Sequence, residues 1–410
     1  MLVTSGLFCH VIADFAKFIL DDEYLRRTLT AAINDSKERH LKHQHNHPRN
    51  LQHLLLLMND ILLQPPVWTS SQDGLLGCPL NTIFRPLMNT TAGWAVFSRP
   101  DVNEHLRLIL GTWAKYLESE HSTWCLGGEN GWCASQNLKF LESEAQPNGV
   151  IKRFTDIFVC PNPSDRSTLG FKSWDDFFTR KFAPGVRSLA GGQATNLYRA
   201  ILHPCEASMY RCAKEVKLSD DFWLKGQPYS IIDMLEQHWS STLFENGTVY
   251  QAFLSALSYH RWHAPVSGTV VSIKHIPGSY FAQAPSFTRR KIIGESPGEC
   301  LPGLDPAPPN LSQAYLSSVA TRLLIIFVAD CSRIGLVAFL AIGMADVSSC
   351  QSLVTVGQHV TAGDEIGMFH YGGSSYCLLF QERSCISLNQ VQGQGNNPVK
   401  SLLASVDNMN

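Results

Sequence analysis

The apolar positions of this chain change their period part-way along. Val102, Leu106, Ile109, Trp113 and Tyr116 recur three or four apart and would share one face of a helix. Pro100, Asp101 and Glu104 mark the start of that helix in the manner of a capping box. The leucine-rich run from Leu51 to Leu63 predicts a second buried helix, stopped by Pro65 and Pro66. From about Asp156 the pattern shortens. Runs such as GTVVSIKHI, RLLIIFVAD and RIGLVAFLAIG alternate with Gly, Pro and Ser, which predicts a sheet-built domain. The most apolar stretch, Leu323 to Met344, is broken by Asp330 and Arg333, so it reads as two buried strands joined by a turn and not as a membrane span. The expectation is an α+β chain: a helical region over residues 1–150, then a β-rich domain over 151–410.

Composition narrows the function classes. Hydrophobic residues make up 44% and charged residues 17% of 410 positions, a globular balance. A formal charge of −2 gives no basic surface for nucleic acid and disfavours an anionic membrane. The N-terminal segment lacks the charged and apolar regions of a secretory signal, and the twelve cysteines form no CxxC pairs. Reduced thiols and a cytoplasmic location follow as expectations. His40, His43, His45 and His47 crowd one tract, but Pro48 and the polar neighbours make it a solvated loop and no metal site is assigned. A second loop is expected over Arg289 to Pro309, covering or skirting the site.

Candidate chemistry concentrates in GMFHYGGSSYCLLF, residues 367–380. Two glycines before two serines suit a tight hairpin. They also suit self-cleavage, because glycine neither blocks attack on its carbonyl nor resists the backbone strain that attack requires. The Ser374 hydroxyl attacking the Gly373 carbonyl would give an ester, then dehydroalanine, then a pyruvoyl group at a new N-terminus. Such a hydroxyl needs a base and an orienting acid. His260 and His263 in SYHRWHAPVSG are candidate bases. Three apart in a strand they point to opposite faces, so both reach one site only through a turn or bulge near Trp262; otherwise they are backbone-satisfied histidines at a strand end. Glu206 in HPCEASMY is either the orienting acid or a solvated carboxylate.

Seven motifs in order resemble the phosphatidylserine decarboxylase family: SWDDFFTRKF (173–182), HPCEA (203–207), WLKGQPYS (223–230), YHRWHAP (259–265), PGSYF (277–281), GDEIGMF (363–369) and YGGSS (371–375). LMNTTAGWAVF (87–97) extends the likeness to a fungal subgroup of L-tryptophan decarboxylases. The resemblance implies a barrel-sandwich-like core and a cut between Gly373 and Ser374. It further implies that Ser374 becomes the pyruvoyl cofactor, that the two cleaved chains stay associated, and that catalysis follows a Schiff-base mechanism on a small amino acid. His263 and Glu206 match the processing pair, and His260 the residue of the decarboxylation step. Where the phospholipid enzymes carry Asp-Gly this chain has Glu206-Ala207, one methylene longer, as the tryptophan subgroup also does. Trp262 and Tyr280 are candidates for an indole pocket or for core packing. The competing readings are a phosphatidylserine decarboxylase, an uncleaved binding protein, and a biotinyl- or lipoyl-type carrier, which would need a lysine in an exposed hairpin.

Overall fold

The computed structural model describes residues 8–39, 47–69, 77–145, 152–189, 196–219, 229–283, 312–346, 349–370, 374–384, 386–388 and 396–406. Three sequence expectations lie outside them: the histidines at 40, 43 and 45, the Arg289–Pro309 loop, and Gly373. His47 is described, with its ring between the Ser36 hydroxyl and the Pro48 carbonyl.

The N-terminal part is helical: α1 His10–Asp21, α2 Glu23–Arg39, α3 Leu51–Leu62, α4 Pro79–Met88, α5 Thr91–Phe97, α6 Pro100–Leu117 and α7 Ser135–Glu144. On α6, Val102, Leu106, Ile109 and Trp113 are buried as their spacing requires. The capping box is not formed. Arg99 is the N-cap, Asp101 pairs with its guanidinium, and Glu104 pairs with Arg107 one turn on, so the N3-to-cap backbone bond of a capping box is not made. Helix α3 instead has Asn50 as its cap, accepting from the His53 amide at 2.8 Å.

Among the described residues thirteen strands follow: β1 Ala200–Leu202, β2 Ser208–Val216, β3 Gly247–Leu254, β4 Arg261–His263, β5 Gly268–Ile276, β6 Arg322–Ala329, β7 Leu336–Gly343, β8 Ser349–Ser352, β9 His359–Val360, β10 Glu365–His370, β11 Ser374–Phe380, β12 Ile386–Leu388 and β13 Leu402–Val406. Seven form an antiparallel sheet in the order β2-β3-β11-β7-β6-β5-β9. Its ends, β2 and β9, do not pair with each other. The sheet is therefore open, and the barrel-sandwich expectation holds only loosely. Both faces are covered. Leu323, Ile325, Phe327, Phe339, Tyr376 and Leu378 join a core shared with the helices, while Leu324, Ile326, Leu340, Ile342, Cys377 and Leu379 face a second core with Met234, Phe244 and Leu316. Burial on both faces is why the strands read as unbroken apolar runs without alternation.

Two smaller sheets, β4-β10-β8 and β1-β13-β12, complete the β part. The first meets the large sheet at one corner. Strand β3 leads into β4, β7 into β8 and β10 into β11, so three connections pass between the sheets at the same place. Ser374 sits at that corner, opposite Leu254 on one side and Gly343 on the other.

Candidate active site

Ser374 opens an interior strand of the large sheet, where β11 pairs along its full length with β3 and β7. Its side chain is fully buried, and its hydroxyl has no hydrogen-bond partner among the described residues. A buried hydroxyl normally finds a partner, because leaving it unmade costs about 1–3 kcal/mol. The neighbouring Ser375 and Tyr376 hydroxyls are likewise buried without a partner among the described residues.

His260 lies on the connection that leaves β3 after Leu254, the residue paired with Ser374. Its carbonyl accepts from the Phe369 amide at 2.9 Å, which ties it to the end of β10. The imidazole is wholly buried and stacks on Phe178 at 4.2 Å. Nδ1 has no partner and Nε2 is 3.5 Å from the Ala256 carbonyl. Burial, helped by the Arg180 guanidinium, lowers its pKa to about 3, so the ring is neutral at physiological pH.

His263, at the end of β4, is held on both sides. Nδ1 donates to the Gly363 carbonyl at 2.8 Å, so Nε2 is the acceptor and takes the Tyr259 hydroxyl at 3.0 Å. Glu206 has other partners as well. Arg187 grips its carboxylate through two donors, and the Val399 amide donates to Oε2 at 2.8 Å. Burial raises the Glu206 pKa while the guanidinium pulls it back. In the uncut chain, then, the hydrogen bonds run Arg187–Glu206 and Gly363–His263–Tyr259 as separate pairs. His260 lies on the β3–β4 connection, which passes the corner where Ser374 opens β11, and no hydrogen bond among the described residues joins His263 to Glu206 or to Ser374.

Several polar residues of this region carried no mark of their own in the sequence reading. Arg180, buried and lying over Phe158 at 4.5 Å, donates to the carbonyl of Leu257 at 2.8 Å. From the other side Glu144 takes the hydroxyls of Ser255 and Ser258 at 2.5 and 3.0 Å, and the Asn396 amide at 2.8 Å. Together they fix the turn that carries His260. His370, four residues before Ser374, pairs with Asp175 at 2.8 Å. Arg180, Asp175, Tyr259 and His370 did fall inside quoted motifs; Glu144 and Asn396 did not, and only contact reveals them. Trp262 is packed in the core against Phe369 and Phe339, whereas Tyr280 lines cavities.

The chain is similar to known proteins over most of its length. Two family models, both described as phosphatidylserine decarboxylase, match residues 174–400 and 9–141. The decarboxylase iboD of Amanita muscaria is 38% identical over 338 residues, covering 80% of this chain and 91% of that protein. An L-tryptophan decarboxylase of Psilocybe cubensis is 37% identical, covering 81% of this chain and 73% of that protein. A phosphatidylserine decarboxylase proenzyme of Oryza sativa is 30% identical, covering 52% of this chain and 30% of that protein.

Proposed function

Because the chain belongs to the phosphatidylserine decarboxylase family and is thereby a carboxy-lyase, we propose that it decarboxylates an aromatic L-amino acid, L-tryptophan to tryptamine in the first instance, using a pyruvoyl group made from Ser374. The observation that carries the reading is the fully buried Ser374 hydroxyl, without a partner among the described residues, at the corner where β3 leads into the connection that carries His260. A buried site without a structural partner fits a side chain that is consumed in making the cofactor. When formed, the pyruvoyl group supplies a carbonyl that captures the substrate amine and a sink for the electrons left as carbon dioxide departs.

The chain's own residues have definable tasks. For self-cleavage, His263 would exchange the Tyr259 hydroxyl for that of Ser374; its Nε2 lone pair is already set by the Gly363 carbonyl. Glu206 acts with Arg187 to hold the wall behind His263, and Val399 belongs to the segment that follows the cut. For decarboxylation, His260 is the proton donor to the α-carbon. Neutral in the unliganded site, it gains affinity for a proton when a substrate carboxylate arrives in the same buried space, so protonation follows binding. Strand β11 keeps the two cleaved chains together, and reduced cysteines fit a cytoplasmic enzyme; the ten described cysteines are all free thiols.

Favouring an amino acid over phosphatidylserine, the relatives named as tryptophan decarboxylases match about four fifths of the chain, including the helical region, while those named for the phospholipid match 52% to 62%. No described helix is long and apolar enough to cross a membrane.

The test is denaturing intact mass beside a decarboxylation assay. Wild-type protein should yield a small fragment running from position 374 to Asn410 with a pyruvoyl N-terminus, and should release carbon dioxide from L-tryptophan but not from phosphatidylserine micelles. Ser374→Ala should remain one 45.6 kDa chain without activity. Lipid turnover alone would overturn the substrate, and an uncut wild type would overturn the cofactor.

A further inference from the structure

Between helices α5 and α6 and a wall built from Pro277–Tyr280 and the short helix Gln313–Val319 lies a cavity of about 550 Å³. That is the size of a small-molecule site, and it falls where such sites concentrate, at the seam between two parts of a fold. Its walls are fixed. The Tyr280 amide donates to Asn103 Oδ1 at 2.9 Å, and the Asn103 side-chain amide is spent on the Phe97 and Arg99 carbonyls. Ser279 donates to the Val319 carbonyl at 2.7 Å, and Trp94 Nε1 donates to the Tyr315 hydroxyl at 3.2 Å.

The lining has a definite chemistry. Trp94, Tyr280 and Tyr315 supply aromatic surface, and Glu104 and Arg107 supply one charge of each sign on successive turns of α6. Those two side chains are joined by bonds of 2.9 and 2.6 Å, yet both are more than half exposed. Such a pair is worth little, so a ligand bearing both charges can replace it at little cost. A carboxylate would take the Arg107 fork, an ammonium the Glu104 carboxylate, and an aromatic side chain the three rings.

The cavity also connects to Ser374. Ser374 pairs with Gly343, the Gly343 amide donates to Thr321, and the Thr321 amide donates to Ser279 in the cavity wall. Three strand-to-strand steps put the wall roughly 15 Å from Ser374, at about 4.8 Å a step. A second cleft of only about 50 Å³ is lined by Tyr280, Phe281, Met344 and Ala345 among others, and the last two directly follow Gly343. Tyr280 borders both spaces.

The geometry points to a waiting site: the larger cavity binds the aromatic amino-acid zwitterion through Arg107, Glu104 and the three rings, with Tyr280 shared between it and the smaller cleft. This rests on the aromatic amino-acid reading above.

Because the cavity does not include residue 374, it should bind ligand without the cofactor. Equilibrium dialysis of the full-length Ser374→Ala chain should show saturable binding of L-tryptophan, of indole-3-propionate, which has only the carboxylate, and of tryptamine, which has only the amine. Adding Arg107→Gln should weaken L-tryptophan and indole-3-propionate at least tenfold and spare tryptamine. Adding Glu104→Gln should weaken tryptamine and spare indole-3-propionate. No binding by the Ser374→Ala chain, or equal effects of the two substitutions on all three ligands, would overturn the waiting site. Wild-type turnover of L-tryptophan, measured alongside, shows which reading has failed. Turnover without this binding pattern sinks the waiting site alone, and absence of turnover sinks both.

Discussion

Three buried histidines surround the β1–β4 edge of the molecule, and burial lowers each of them: His203 to about 4, His260 to about 3 and His263 to about 4. A histidine whose folded pKa lies below its unfolded value binds its proton more readily when unfolded. Its contribution to stability is therefore complete above pH 6.5 and is lost as pH falls toward 4, at roughly 1.4 kcal/mol per pH unit per histidine. His203 isolates the effect, since its Nδ1 has no partner and its ring faces the edge of Tyr250. Replacing it by Phe should reduce the slope of urea-unfolding free energy between pH 6.5 and 4.5 by about that amount. An unchanged slope would mean that His203 carries its proton in the folded chain.

At the scale of elements, β11 decides what self-cleavage can do to the fold. A cut before Ser374 leaves a strand of seven residues, all buried, hydrogen-bonded to β3 on one edge and β7 on the other. Strand β13 adds pairing to β1 and β12, the first of which lies before the cut. The small fragment is thus locked into the middle of the sheet and not onto its rim. It should co-elute with the large one in native gel filtration and separate only in denaturant. Release under native conditions would show that β11 had left the sheet on cleavage.

Across the whole molecule, the helical region is joined to the sheet by a continuous core running from Ile12 to Val406. One polar bridge reinforces the seam. Asp346, shortly after β7 and buried, accepts the amides of Leu80 and Asn81 at the start of α4, each at 2.9 Å. Burial raises its pKa to about 7 against the pull of those two amides, and losing its oxygens leaves both amides to find new partners. Asp346→Ala should cost roughly 1–3 kcal/mol of stability in urea, with Asn recovering part of it. A cost near zero would mean that water or a neighbour replaces the carboxylate without loss.

Local pattern was enough for the element types. Helical spacing on α6 and unbroken apolar runs in β6 and β7 report burial, and burial is a property each residue carries into any fold. Seven collinear motifs were enough for the family, and they singled out Ser374, His260, His263 and Glu206 as candidates. Partner choice was not legible, because a hydrogen bond depends on atoms brought together from distant positions. Only the tertiary structure gives Glu206 to Arg187 and Val399, gives His263 to Gly363 and Tyr259, and brings Glu144 from the helical region onto the turn before His260. The open edge of the large sheet is of the same kind: strand runs predict strands, but whether the first and last of them meet is decided by register and twist over the whole sheet.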